Sequence, residues 1–146
     1  MSYSFFKNLL GVEGVLLFIQ FWLGMSTNLF ITVPLDGPLN FLGYSGGEEV
    51  LAHIVSGILI LTIAILLLVY SFKLKNRIVL GFSVAAFVFV ILAIFNGFTF
   101  ILYGQDDGFS MGMAVSFLFA FAFGFSSLYF AGKAEATQEA LSTRKT

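Results

Sequence analysis

Four long apolar stretches separated by short polar breaks make up most of the sequence. A helix that spans a bilayer needs about 20 apolar residues, and stretches of this length occur at residues 9–33, 50–72, 78–103 and 109–131. The stretches do not show the strict alternation over about 10 residues that is typical of a membrane β-strand. The pattern therefore predicts an all-α integral membrane four-helix bundle in a single transmembrane domain, followed by a polar tail at residues 132–146.

Charge predicts how these four spans are oriented. The basic residues all fall on one side of the spans: Lys7, Lys73, Lys75, Arg77, Lys133, Arg144 and Lys145. The other side carries only acidic charges: Asp36, Glu48, Glu49, Asp106 and Asp107. Basic loops normally stay in the cytoplasm, so we predict a multi-pass protein of the plasma membrane with both termini cytoplasmic. Links of about five residues make neighbouring helices antiparallel, which predicts up-down-up-down order.

Composition and motifs narrow the range of functions. Hydrophobic residues form 59% of the chain and charged residues 10%, whereas soluble domains carry about 25% charged residues. The net charge of −1 gives no basic field for nucleic acid. Cysteine is absent, which excludes disulfides, thiolate metal sites and thiol nucleophiles. The sequence contains no hydrolase triad or phosphate-binding loop, so we do not expect catalytic activity of its own. The first apolar stretch is too long for a signal peptide, so we expect it to be retained.

Small residues recur at four-residue spacing along the fourth span, on one face of a helix. This stripe consists of Gly108, Gly112, Ser116, Ala120 and Gly124. The third span has a weaker stripe at Gly81, Ala85, Ala93 and Gly97. Small residues let membrane helices approach closely, so we predict that the two stripes meet. The alternative is that the stripe of the fourth span contacts another subunit.

Polar side chains inside a membrane are costly and need a partner. Glu13, Gln20 and Thr27 recur at seven-residue spacing, which places them on nearly one face of the first helix. A polar cluster is predicted mainly in the outer half of the bundle, formed by Gln20, Thr27, Asn28, Ser56, Asn96, Thr99 and Ser110. Gln20 and Asn96 would bond across helices or contact a polar ligand such as a quinone head group. Glu13 is expected to snorkel or to pair with Lys7 or Lys75, with proton transfer as the alternative.

His53 is the only histidine and opens the second span. The structural interpretation is a histidine that is hydrogen-bonded near the membrane surface. The functional interpretation is a proton-handling group or a ligand of haem or metal, since histidine and methionine can both be axial ligands of haem. The candidate cofactor-binding residues are therefore His53, Met25, Met111 and Met113, with haem b or copper(I) as the candidate cofactor. Haem b normally uses two histidines, so a second copy or a partner would supply the other.

Two segments carry a resemblance to known proteins. Residues 20–30, QFWLGMSTNLF, are followed by a proline loop and by residues 52–57, AHIVSG. This pattern resembles an uncharacterised family of small four-span membrane proteins of bacteria and archaea, and the resemblance implies no activity. A histidine that opens a helix, with glycine one turn later, is also similar to a half-unit of haem A synthase-type bundles. This chain lacks the second histidine of such a bundle, so no functional residue is carried over.

Three hypotheses of function follow. The leading one is an accessory or structural subunit of a larger membrane complex, for example a respiratory one, bound to other membrane subunits or to a second copy. The first alternative is a haem- or metal-binding redox protein that uses His53. The second is a small transporter or channel, which is favoured less because no span is broken by proline and no charged lining repeats.

Overall fold

The structure is a computed structural model that describes residues 3–37 and 39–143. It has four α-helices: α1 (Tyr3–Phe30), α2 (Gly47–Leu74), α3 (Arg77–Leu102) and α4 (Asp107–Thr143). No strand occurs within the described ranges. All four helices are long and apolar enough to cross a membrane. The prediction of an all-α protein with four candidate spans is therefore confirmed.

The helices form a ring in which each packs on two neighbours. α1 contacts α2 and α4, and α3 contacts α2 and α4, with the most extensive interface between α3 and α4. Among the described residues, the diagonal helices do not pack on each other: α1 is separated from α3, and α2 from α4. Groups on diagonal helices can therefore meet only through side chains that reach into the centre of the bundle.

The end of α1 differs from the predicted first span. The span was expected to continue to Val33, but the helix ends at Phe30 and the chain from Ile31 onward is not helical. The side chain of Gln105 holds this segment: its Nε2 donates to the Ile31 carbonyl at 2.8 Å, and its Oε1 accepts from the Val33 N–H at 2.9 Å. The side-chain amide of one loop thus pairs two backbone polar groups of the non-helical segment that follows α1.

The polar tail also differs from expectation, because α4 continues without a break to Thr143. The predicted tail begins at residue 132, so about 12 residues, or about 18 Å of helix, extend past the apolar part. An ion pair between Lys7 and Glu135 ties the start of this extension to α1. Residues 144–146, which complete the predicted tail, lie outside the described residues.

The small-residue stripe of α4 lies partly in the interface with α3. Ser116 and Ala120 are buried, and a Cβ atom at Gly112 would lie 2.7 Å from Cγ of Asn96. The ends of the stripe differ from the prediction. Gly108 is exposed in the first turn, and a Cβ atom at Gly124 would meet nothing within 4 Å.

The facing stripe of α3 is also different from the predicted one. Gly81 is exposed, and the inward face of α3 instead buries Ser83, Ala86 and Val90. Gly97 does face α4, since a Cβ atom there would lie 3.1 Å from Sδ of Met113. The rotation of α3 about its axis therefore places Gly97, but not Gly81, against α4.

Glycines set the start of α2. Gly46 has a φ of 82°, a left-handed conformation that favours glycine. Gly47 is buried against the backbone of the preceding loop: a Cβ atom there would lie 2.7 Å from the carbonyl carbon of Phe41 and 2.9 Å from its Cα. The loop between α1 and α2 therefore folds closely over the first turn of α2.

Candidate functional site

The polar face predicted for α1 points into the bundle. Glu13 and Thr27 are 4% and 5% exposed, and Gln20 lies between them with its side chain bonded to α2. The residues one turn away from Glu13, Leu10 and Leu17, are buried on the same face. The seven-residue spacing therefore identifies a face that is turned inward, along which polar groups extend over about 21 Å.

The first polar site, which we call the histidine site, consists of Gln20, Gly24, His53 and Ser56. Gln20 Nε2 lies 3.3 Å from His53 Nε2, and the Ser56 hydroxyl donates to Gln20 Oε1. The Cε1 edge of the imidazole approaches α1 closely because Gly24 has no side chain; a Cβ atom there would lie 2.9 Å from His53 Cε1. The ring therefore points toward α1.

The two ring nitrogens of His53 differ in their surroundings. Nε2 lies against the side-chain amide of Gln20, and the Ser56 hydroxyl contacts both the Gln20 amide oxygen and the His53 carbonyl, the latter at 3.0 Å. His53 Nδ1 is buried and has no hydrogen-bond partner within the described residues. The site thus presents one unpaired ring nitrogen at the α1–α2 interface.

The other members of the predicted polar cluster do not join the histidine site. Asn96 Nδ2 donates to the Leu92 carbonyl at 2.7 Å, and Thr99 donates to carbonyl groups of its own helix. Asn28 is exposed, and Ser110 is half-buried at the start of α4. The buried Thr27 hydroxyl has no hydrogen-bond partner among the described residues. The predicted cluster is therefore divided between the α1–α2 and α3–α4 sides of the ring.

The methionines also lie away from the histidine site. Met25 and Met111 are 46% and 66% exposed, so they face outward. Met113 packs on Gly97 in the α3–α4 interface. No group of three or more His, Asp or Glu side chains that could hold a metal occurs in the part of the chain that the structure describes. The cofactor hypothesis for His53, with Met25, Met111 and Met113, stays a prediction.

A second polar site lies at the centre of the bundle, and we call it the glutamate cavity. Glu13 of α1, Ser83 of α3, and Gly124 and Ser127 of α4 line a small cavity whose remaining walls are apolar. Ser83 Oγ and Ser127 Oγ are 3.1 Å apart, and Ser127 Oγ lies 3.5 Å from the Val79 carbonyl. This cavity joins the diagonal helices α1 and α3 through their side chains.

The prediction that Glu13 pairs with Lys7 or Lys75 is wrong. Lys7 pairs with Glu135 on α4, and Lys75 is exposed in the link after α2. Glu13 lies six positions after Lys7, which turns the two side chains about 120° apart around the helix. Lys7 therefore faces α4 at the end of the bundle, while Glu13 faces its centre.

Sequence analysis missed Ser83 and Ser127 as partners of this site. Ser127 continues the inward face of α4 seven residues after Ala120, and Ala131 follows one turn later. The four-residue spacing of the stripe continues from Gly124 to Leu128, so only a seven-residue repeat counted from Ala120 leads to Ser127. Ser83 carries no comparable signal, because its position depends on the rotation of α3.

These features define a four-helix protein with the length and apolarity of a multi-pass membrane protein and with two polar sites inside the bundle. Comparison with protein-family models, with curated proteins and with solved structures finds no match to this chain.

Proposed function

We propose that the chain crosses the plasma membrane four times in up-down-up-down order, with both termini in the cytoplasm. Lys75 and Asn76 alone join α2 to α3, and four residues join α3 to α4, links that favour antiparallel neighbours. The α2–α3 link is flanked by Lys73 and Arg77, whereas the α3–α4 link carries Asp106. The positive-inside rule places the basic link in the cytoplasm.

Within this topology, we propose that the protein is an accessory subunit that packs against other membrane subunits of a larger assembly, with a respiratory complex as the first to examine. The observation that carries the proposal is a pair of outward-facing glycines that the bundle does not use. Gly11 of α1 and Gly81 of α3 are exposed, and a Cβ atom at either would meet nothing within 4 Å.

Glycine inside a helix costs about 1 kcal/mol relative to alanine, and at Gly11 and Gly81 no contact within the bundle offsets that cost. Glycine on the surface of a membrane helix allows a second helix to approach closely. α1 and α3 are diagonal in the ring, so these glycines offer two separate faces to neighbouring helices.

The extension of α4 supports the same proposal. Residues 136–143 are helical and exposed, and the ion pair of Lys7 with Glu135 fixes the direction in which they leave the bundle. Such a helix offers a soluble partner or an extramembrane domain a rigid surface next to the bilayer. The extension and the faces at Gly11 and Gly81 can therefore contact different subunits of one assembly at the same time.

The glycine faces can be tested by enlarging them. Gly11→Leu and Gly81→Leu are each expected to lower the fraction of protein in the assembly by about tenfold, because overpacking an interface costs about 1–3 kcal/mol. The measurement is the fraction that co-migrates with partner subunits after mild extraction from native membranes. The thermal midpoint of the isolated bundle should not fall, since neither glycine has an internal neighbour and leucine favours the helix more than glycine does.

Val15→Leu and Val84→Leu are the matched controls, because both valines are exposed and lie one turn from the respective glycines. Assembly should survive these substitutions. The proposal fails if the wild-type protein extracts only as a monomer, or if the glycine variants assemble as well as the valine controls. A complex whose mass equals two or more copies of this chain would identify the neighbour as a second copy.

A further inference from the structure

The glutamate cavity has a property that an accessory role does not require. Glu13 lies in the centre of the bundle, 4% exposed, with no ion pair or hydrogen bond to any described residue. An ionised carboxylate in such surroundings is strongly unfavourable unless a cation or hydrogen-bond donors compensate it. The groups around Glu13 therefore decide its protonation state.

None of the other residues around the cavity can neutralise a carboxylate. They contribute apolar groups, glycine and hydroxyls. The lining includes Ala64 and Leu67 of α2, Ser83 and Ala86 of α3, and Gly124 and Ser127 of α4. None of these is ionisable. The nearest basic residue along α1, Lys7, is engaged by Glu135. Charge compensation from the described part of the chain is thus missing.

The two hydroxyls bring no charge to the cavity. Ser83 Oγ and Ser127 Oγ lie 3.1 Å apart, where either can be the donor, and Ser127 Oγ lies 3.5 Å from the Val79 carbonyl. Each serine has two lone pairs, so both can accept the O–H of a neutral carboxylic acid.

We propose that Glu13 is a proton-binding site, whose neutral acid donates toward the lone pairs of Ser83 and Ser127, directly or through one water. Apolar clusters lie on both sides of the cavity along the bundle. Leu10, Leu67 and Val79 belong to the cluster toward the basic end, and Leu17 and Val90 belong to the cluster on the other side. Glu13 therefore takes up and releases its proton between two packed apolar clusters. This inference holds whether or not the chain has partners.

Infrared spectroscopy of the full-length protein in lipid nanodiscs tests the proposal. The wild-type protein should show the C=O stretch of a buried, protonated carboxylic acid, which shifts in D₂O and disappears as the pH rises. Glu13→Gln should abolish this band and leave the helical content unchanged, because the amide has the same shape. Glu135→Gln is the control, since Glu135 lies outside the cavity, and its variant should keep the band.

Substitution of the serines tests whether their hydroxyls stabilise the protonated form of Glu13. The quantity measured is the pH at which the infrared band disappears. Ser127→Ala removes an acceptor for the acid, so the band should disappear at a pH lower by about half a unit to one unit, given the usual strength of one neutral hydrogen bond. Ser126→Ala is the matched control, because Ser126 bonds to the Ala122 carbonyl of its own helix, and it should leave the transition where it is.

A second measurement uses dicyclohexylcarbodiimide, an apolar reagent that reacts with protonated carboxyl groups in membranes. The adduct should form at Glu13 at low pH and decline in parallel with the infrared band, with or without sodium. The proposal is overturned if no protonated band depends on Glu13, or if the band persists unchanged at every pH at which the protein stays folded. Protection of Glu13 by sodium, but not by choline, would also overturn it and would identify a cation site.

Discussion

Gly47→Ala is expected to destabilise the bundle by about 3 kcal/mol or more, the upper end of what overpacking costs. The added methyl group would overlap the backbone of Phe41, with its carbonyl carbon 2.7 Å away. A side chain could rotate to make room, but a backbone must move as a unit. Here the loop that would move is fixed at its start, where Gln105 holds Ile31 and Val33.

The measurement for Gly47→Ala is the unfolding of the purified protein in detergent, followed by far-UV circular dichroism. Gly14→Ala is the matched control, because a Cβ atom at Gly14 meets nothing within 4 Å. This control should be neutral or more stable by up to about 1 kcal/mol, the usual gain of alanine over glycine in a helix. Equal stability of the two variants would show that the loop does not pack on α2 as described.

Gly112→Leu is expected to have the second largest effect, a loss of about 3 kcal/mol. A Cβ atom at Gly112 would lie 2.7 Å from Cγ of Asn96, whose Nδ2 donates to the Leu92 carbonyl at 2.7 Å. Leucine would have to displace the Asn96 side chain, which then loses its hydrogen bond in an apolar environment. It would also separate α3 from α4 in the most extensive interface of the bundle.

Phe119→Leu is the control for Gly112→Leu on the same helix. Phe119 is 43% exposed and stacks on Phe89 and Phe123, so a smaller apolar side chain should cost less than about 1.5 kcal/mol. Unfolding of both variants in the same detergent compares them directly. If Gly112→Leu is as stable as Phe119→Leu, the close approach of α3 and α4 at Gly112 is wrong.

Much of the fold follows from local pattern in the sequence. The length of the apolar stretches predicts four helices, and the seven-residue spacing of Glu13, Gln20 and Thr27 predicts an inward polar face on α1. Both properties depend only on helix geometry, which each segment carries by itself. The contact of Gln20 with His53 was not predicted from the sequence, which indicated only that polar groups turn away from lipid.

The rest of the site depends on how the helices are set against one another. Ser83 faces Ser127 because α3 is rotated so that Gly81 points outward, and the composition of α3 does not determine that rotation. The ion pair of Lys7 with Glu135 joins residues that are far apart in the chain, and it removes the partner expected for Glu13. Gln105 likewise satisfies the end of α1 from a distant loop. These contacts follow from tertiary packing, which the pattern of one segment does not contain.

Four membrane crossings with both ends in the cytoplasm are the central claim, and the absence of cysteine allows a direct test. Single cysteines at Ser45→Cys, Tyr103→Cys and Ala136→Cys occupy exposed positions in the α1–α2 loop, after α3 and in the extension of α4. A membrane-impermeant thiol reagent is added to intact cells, and again after lysis. We expect Ser45→Cys and Tyr103→Cys to be labelled in intact cells and Ala136→Cys only after lysis. Labelling of Ala136→Cys in intact cells, or protection of Ser45→Cys, would contradict the account.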